Sequence, residues 1–408
     1  MFLKRALPLV LVALVSTGCS LMPWRGQQNP RGVDPPTSDT APEDRRGVAH
    51  SGPIDVDFLL NYYDQDGENS PVTGGIGTED LQVVAPAIVV RWSPSDRWAL
   101  SADLGVDGIT SASTDNIDTQ VSSASYRDNR AHGIFTATRS WENQRLSFGL
   151  GFSSEYDYNS VSGRLRWSRD FNQKNTTLSA GIGFYSDTID LYDIDGVVQG
   201  EDDRETLDLS LALSHNFGPR TVGTVELALN LQSGFLSTPF HEVILAPTEA
   251  FPDGQRVAER LPDQRDRTAL AFSLQHAFTP KIVQRFSVRF YDDDFGIQAQ
   301  TFEAETHFRV PLARESWVYP ILRFHTQDGS DYFGLPRTFS ASDAFFTADR
   351  DLSTFDSEKF GVGLRVLFER RQSGWRRFLR GFETRVTQYS RDDGLDALSA
   401  SFAWRLRF

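Results

Sequence analysis

Residues 398–408 read LSASFAWRLRF. Every second place gives Leu398, Ala400, Phe402, Trp404, Leu406 and Phe408, and the places between hold Ser399, Ser401, Ala403, Arg405 and Arg407. A repeat of two sends these sets to opposite faces of a β-strand, one greasy and aromatic, the other small or cationic. The same alternation recurs upstream: Leu146, Phe148, Leu150 and Phe152; Leu178, Ala180, Ile182 and Phe184; Leu207, Leu209, Leu211 and Leu213; Leu270, Phe272 and Leu274; Phe360, Val362, Leu364, Val366 and Phe368. A soluble sandwich strand can alternate too. With so many strands sharing the pattern, a closed wall whose apolar face meets lipid is the simpler arrangement, and closure leaves no exposed edge.

From Ile54 onward a strand of roughly ten residues, a tight turn, a second strand and a longer polar loop repeat. Tight turns fall at Ser93-Asp96, Glu142-Gln144, Asn172-Asn175, Gly218-Arg220, Thr279-Lys281, Leu312-Glu315 and Gln372-Gly374. The expected fold is all-β: a transmembrane antiparallel up-and-down barrel of about 16 strands over residues 54–408, with both ends on one side. Trp92, Trp98, Trp141, Trp167, Trp317, Trp375 and Trp404 lie near tight turns or the C-terminus. Tyr62, Tyr63, Tyr156, Tyr158, Tyr185, Tyr291 and Tyr389 sit where strands enter longer loops. Sorted this way, they read as two interfacial girdles.

The 408 residues carry a net charge of -14, which argues against nucleic acid as a partner because phosphate binding needs clustered Lys and Arg. Residues 1–19 read as an export signal: Lys4 and Arg5, an apolar core from Ala6 to Val15, then Ser16-Thr17-Gly18-Cys19. Cys19 is the single cysteine, so no internal disulfide can form, and it is the expected acylation site. Residues 20–53, rich in Pro, read as a periplasmic tether.

With the apolar face outward, Asp55 and Asp57 on the first strand face Arg405 and Arg407 on the last, across the seam that closes the barrel. Arg285 and Arg289 are expected to complement Glu303 and Glu305 in the same way. Loops 233–264 and 326–355 exceed hairpin length and are candidates to cap or plug the lumen. Asp292, Asp293 and Asp294 read as a solvated turn rather than a Ca²⁺ loop, lacking the spacing of one. His307 beside Glu305 reads as a satisfied lumen histidine. No HExxH, CxxC, GxSxG or P-loop pattern occurs, so neither an enzyme nor a cofactor is expected.

Ending on Phe408, with apolar residues at every second place before it, resembles the C-terminal β-signal of bacterial outer-membrane proteins. The stretch CSLMPWRG, Cys19 to Gly26, is similar over its eight residues to the start of small bacterial lipoproteins. Val106 to Asp118 (VDGITSASTDNID), Ser122 to Arg130 and Arg350 to Gly363 (RDLSTFDSEKFGVG) resemble an uncharacterised family of bacterial outer-membrane barrels, a domain of unknown function, over nearly everything after Asp80. That resemblance implies work alongside periplasmic flavin-transfer or redox proteins, and it implies no catalytic residue.

The expected setting is the outer membrane of a Gram-negative bacterium, with both barrel ends periplasmic. Expected partners are outer-membrane lipids, the barrel-assembly machinery and a periplasmic redox or lipoprotein partner. The first expected function is a porin-like conduit, the second a closed scaffold holding a partner, and the third, more remote, an outer-membrane hydrolase. Phe402, Trp404, Leu406 and Phe408 would guide assembly. Deleting Phe408 is expected to lower the amount of heat-modifiable barrel in the outer membrane; unchanged assembly would remove that role.

Overall fold

The computed structural model describes residues 52–111, 128–193, 197–368 and 377–408. Cys19, the tether up to residue 51, Ser113, Asp115, Trp375 and the turn Gln372-Gly374 lie outside them. The strands are β1 (Ile54–Gly67), β2 (Leu81–Ser95), β3 (Trp98–Ser111), β4 (Asp128–Ser140), β5 (Gln144–Ser154), β6 (Tyr158–Phe171), β7 (Thr176–Tyr192), β8 (Val198–Gly218) and β9 (Thr221–Gly234). They continue with β10 (Glu242–Ile244), β11 (Arg256–Ala258), β12 (Gln264–Thr279), β13 (Ile282–Asp293), β14 (Gln298–Arg309), β15 (Glu315–Gln327), β16 (Phe355–Leu367), β17 (Leu379–Arg391) and β18 (Leu395–Arg407). Among the described residues, sixteen of these close one antiparallel barrel, while β10 and β11 form a separate hairpin inside a loop.

Each wall strand pairs with its neighbour in sequence, β9 with β12 across the inserted hairpin, and β1 with β18 at the seam. The seam runs unbroken from Asp55↔Arg407 to Gly67↔Leu395. The described tight turns gather with Ile54 and Phe408 at one end. The first turns at Asp96 and Arg97, slightly later than the alternation implied, because β2 continues to Ser95. A strand of 13 residues such as β15, tilted as barrel closure requires, spans roughly 30 Å, the depth of a bilayer core. No helix of the described residues is long and apolar enough to cross a membrane.

The alternation decides which side chains face out. Phe58, Leu60, Phe135, Phe148, Leu150, Ile182, Phe184, Leu211, Phe272, Phe290, Phe324, Phe360, Val386 and Trp404 are exposed on the outer wall, all round the ring. Their neighbours in sequence turn into the lumen, where Asp57, Asp107, Arg130, Asp187, Arg204, Glu305 and Glu383 are buried. The outward set is a continuous apolar belt that water does not favour.

The two aromatic girdles need correction. Trp92, Trp98, Trp141 and Trp404 do stand exposed on the outer wall near the turns. Trp317, however, shares the inward register of Tyr319. Five of the seven tyrosines face the lumen: Tyr63 packs on Leu81, Val83 and Ala85; Tyr158 lies under Arg204, Tyr185 under Arg164 and Tyr291 under Arg289; and Tyr389 shares the inward register of Arg385 and Arg391. The physical reason is parity: Tyr63 is one residue from outward Tyr62, and a single step flips the face. Three of these rings, Tyr158, Tyr185 and Tyr291, hold arginine side chains by cation–π contact instead of anchoring the barrel in headgroups.

Glycine makes room for one fully buried inward ring. Tyr319 is fully buried, and a Cβ on Gly363 would come 2.1 Å from its ring carbon Cζ. Gly363→Val is therefore expected to destabilise the folded barrel by roughly 1–3 kcal/mol through overpacking, read as a lower urea midpoint in detergent. An unchanged midpoint would contradict this placement of Tyr319.

Candidate functional site

Among the described residues, three long loops leave the end opposite the termini: 68–80 between β1 and β2, 235–263 between β9 and β12, and 328–354 between β15 and β16. In the ring order, the β1–β2 hairpin lies diametrically opposite the β9–β12 pair. Yet the Glu242 N–H donates to the Val72 carbonyl at 2.9 Å. Loops from opposite walls therefore meet across the mouth of the barrel.

The third loop ties into both. Arg350 donates through Nε and Nη2 to the Gly74 carbonyl at 2.9 and 2.8 Å, and Arg260 and Phe346 exchange backbone hydrogen bonds of 3.1 and 2.7 Å. Val243, Leu245, Phe346 and Ala348 form its apolar heart, with Val257 and Phe339 packed against them. Phe240 stacks on Tyr192 at 4.2 Å and covers Val72. Within this knot, a His241 ring nitrogen, a Glu259 carboxylate oxygen and an Asp349 carboxylate oxygen lie within 4.8 Å of one another, all buried. Burial first, then the nearby carboxylates of Asp351 and Glu259, push the Asp349 carboxyl well above its ordinary range. Burial also raises Glu79, in the first loop, to about 7, where Gln65 Nε2 donates to it at 2.7 Å.

Below the knot, the lumen wall carries two kinds of charge. The first kind is paired. Asp55 sits opposite Arg407, whose Nε reaches it at 2.5 Å. Asp57 sits opposite Arg405 and also takes Arg91 at 2.8 Å. Arg285 faces Glu305 at 3.6 Å. Glu305 in addition holds His307 Nε2 at 2.8 Å, and His307 stacks on Tyr319 at 4.3 Å. Tyr319 donates to Glu383, which also binds Arg365 at 2.9 Å and Arg385 at 3.1 Å.

The second kind is not paired. Among the described residues, Arg166, Arg267, Arg289, Arg323 and Lys359 have no ion pair within 4.0 Å. Arg323 lies directly opposite Glu303 on one side and Lys359 on the other. Arg289 faces Thr301 rather than a carboxylate, so the expected match of Arg289 with an acidic neighbour is not direct. Of the three consecutive aspartates, Asp293 turns inward, its side chain fully buried, and takes Arg265 at 2.5 Å, Tyr291 at 2.7 Å and the N–H groups of Phe295 and Ile297. It braces a turn and is not part of a solvated acidic patch.

The sequence reading missed the knot and the Tyr319–Glu383–Arg385 network. Inward parity could have found Glu383 and Arg385. Nothing periodic marks His241, Glu259 or Asp349.

Fold and lumen define a closed sixteen-stranded β-barrel with an apolar exterior and a charged interior. The chain belongs to the family described as Protein of unknown function (DUF3570), whose model matches residues 119–392. No curated protein sequence matches it. Among solved structures it is similar to a bacterial polysaccharide outer membrane secretin (TM-score 0.46, 11% identity, 86% of this chain and 98% of that one). It is also similar to CdiB from Acinetobacter baumannii (0.46, 9%, 86% and 60%) and to OccK9 (OpdG) from Pseudomonas aeruginosa (0.42, 8%, 89% and 100%).

Gly74 lets the first and third loops approach closely: at φ +65, a Cβ there would lie 2.1 Å from the Ala348 carbonyl oxygen. Gly74→Val is expected to pry them apart, so that protease added to the purified, folded barrel in detergent cuts 68–80 and 328–354 faster than in the parent protein. Equal cutting would contradict the contact.

Proposed function

We propose that this protein is a conduit of the Gram-negative outer membrane that passes small anionic solutes through a lumen narrowed at its mouth by loops. The observation that carries the reading is Arg323 directly opposite Lys359 on the inner wall. Like charges facing each other across a ladder cost stability, and a purely structural lumen would pair them. Arg166, Arg267 and Arg289 extend the cationic surface, against which Glu226, Glu303 and Asp293 are nearby acids. Sixteen strands enclose enough space for water, and Arg91, Arg285 and Arg365 keep 43%, 37% and 34% of their side chains accessible inside it. A chain of net charge -14 thus reserves a cationic surface for its interior, where a narrow low-dielectric wall concentrates anions.

The belt of exposed Phe and Leu supports the membrane setting, since an apolar surface of this extent is stable only in lipid. The outer membrane is the setting in which closed barrels of this kind assemble. Acylated Cys19 would add a second hold on the side of the termini, which we assign to the periplasm. The loop knot favours a second reading: a barrel sealed at its mouth that serves as a scaffold for a periplasmic redox or lipoprotein partner. Current decides between them.

In a planar bilayer across a KCl gradient, the conduit is expected to show a reversal potential of anion selectivity. Replacing the facing pair, Arg323→Glu with Lys359→Glu, is expected to move it toward cations. Cation preference in the parent protein, or a reversal potential indifferent to both changes, would defeat the reading.

A further inference from the structure

The geometry points to a divalent-cation site in the loop knot, formed by His241, Glu259 and Asp349, which takes a transition ion of the Zn²⁺ class and locks two mouth loops together. It stands whether or not the lumen conducts. His241 and Glu259 belong to loop 235–263, at the foot of the β10–β11 hairpin, and Asp349 to loop 328–354. One nitrogen and two oxygens lie within 4.8 Å of one another, so modest tightening brings them to the roughly 2 Å bonds of a tetrahedral ion.

Three features separate this cluster from an ordinary buried polar group. All three residues are more than nine-tenths buried, at 3%, 7% and 6% exposure. Among the described residues, no Arg or Lys nitrogen comes within 4.0 Å of either carboxylate; within that distance their basic neighbour is His241, 3.6 Å from Glu259, and Arg391 acts on Asp349 only from farther off. Two buried carboxylates on one imidazole leave an excess of negative charge, which the protein interior tolerates only with a proton or a cation.

The third feature is that the ligand atoms are already oriented. Thr347 Oγ1 donates to Glu259 Oε1, and the Thr238 N–H to Oε2 at 2.6 Å. The Glu259 N–H donates to the His241 carbonyl at 2.9 Å, which holds the two side by side. Among the described residues, the Asp349 carboxylate takes the Asp351 N–H at 2.8 Å and no other hydrogen bond. Supports of this kind fix first ligands at metal centres. An imidazole beside two carboxylates suits Zn²⁺ better than Ca²⁺ or Mg²⁺, which take oxygen alone. With three protein ligands, the fourth position is left to water.

The test uses untagged full-length barrel, folded in detergent and stripped with EDTA, titrated with ZnCl₂ by calorimetry. One equivalent is expected to bind. His241→Gln and Asp349→Asn are each expected to weaken it by at least the roughly tenfold that loss of an outer-shell support costs, with the heat-modifiable folded band retained. A measurement that needs no variant is the Co²⁺ form of the parent protein, expected to show the visible absorption of a tetrahedral site and to lose it on adding Zn²⁺. Zn²⁺ is also expected to slow proteolysis within 235–263 and 328–354. A folded parent protein that takes up neither ion, or variants that bind as the parent does, would overturn the proposal.

Discussion

The hydrogen bonding of β1 to β18 is the constraint on which the rest depends. In hydrocarbon, every backbone N–H and C=O left without a protein partner costs several kcal/mol, so a sheet survives there only without edges. The thirteen-residue register from Asp55↔Arg407 to Gly67↔Leu395 removes the last two edges at once. Once the ring is closed, side-chain parity has one free choice, and the Phe-rich set takes the outside. Most charged residues on the strands are thereby committed to the lumen; Arg139, over Trp98 and Trp141 on the outer wall, is an exception close to a turn.

That commitment explains why the interior is so charged and why its charges divide. Near the seam and along β13–β17, acids and bases sit across from each other and brace the wall: Asp55 with Arg407, Glu305 with Arg285 and His307, Glu383 with Arg365 and Arg385. Where Arg323 meets Lys359, no carboxylate among the described residues comes within 4.0 Å of either, although Glu303 lies across from Arg323 on its other side. Above both regions, loops from opposite walls join over the mouth and pack their own small core of Val243, Leu245, Phe346 and Ala348. Wall, lining and cover thus follow from one closure, and they differ in what they expose to a solute.

What was legible in the sequence was what repeats. Period-two runs such as Leu207–Leu213 gave strands and faces, turn residues gave their ends, and parity carried Asp55 and Asp57 to the same seam as Arg405 and Arg407. The tyrosines were misread because position along a strand says nothing of face: Tyr62 and Tyr63 share a level and point apart. The loop knot was illegible for a different reason. Its residues come from polar segments with no period, and Asp349 joins Glu259 across a gap in sequence that no local pattern bridges. Loop length hinted at a cover; only coordinates show which side chains it gathers.

The central claim is that the barrel holds a continuous, charged, water-filled path narrowed by the mouth loops. Its most direct measurement is the single-channel conductance of the purified protein in a planar bilayer at low and high salt, with insertion verified by protease protection. The account predicts stable, reproducible steps that fall less than in proportion to salt, because fixed lumen cations hold their counter-ions when bulk salt is dilute. A silent bilayer with the protein demonstrably inserted would contradict it and mean that the knot seals the barrel.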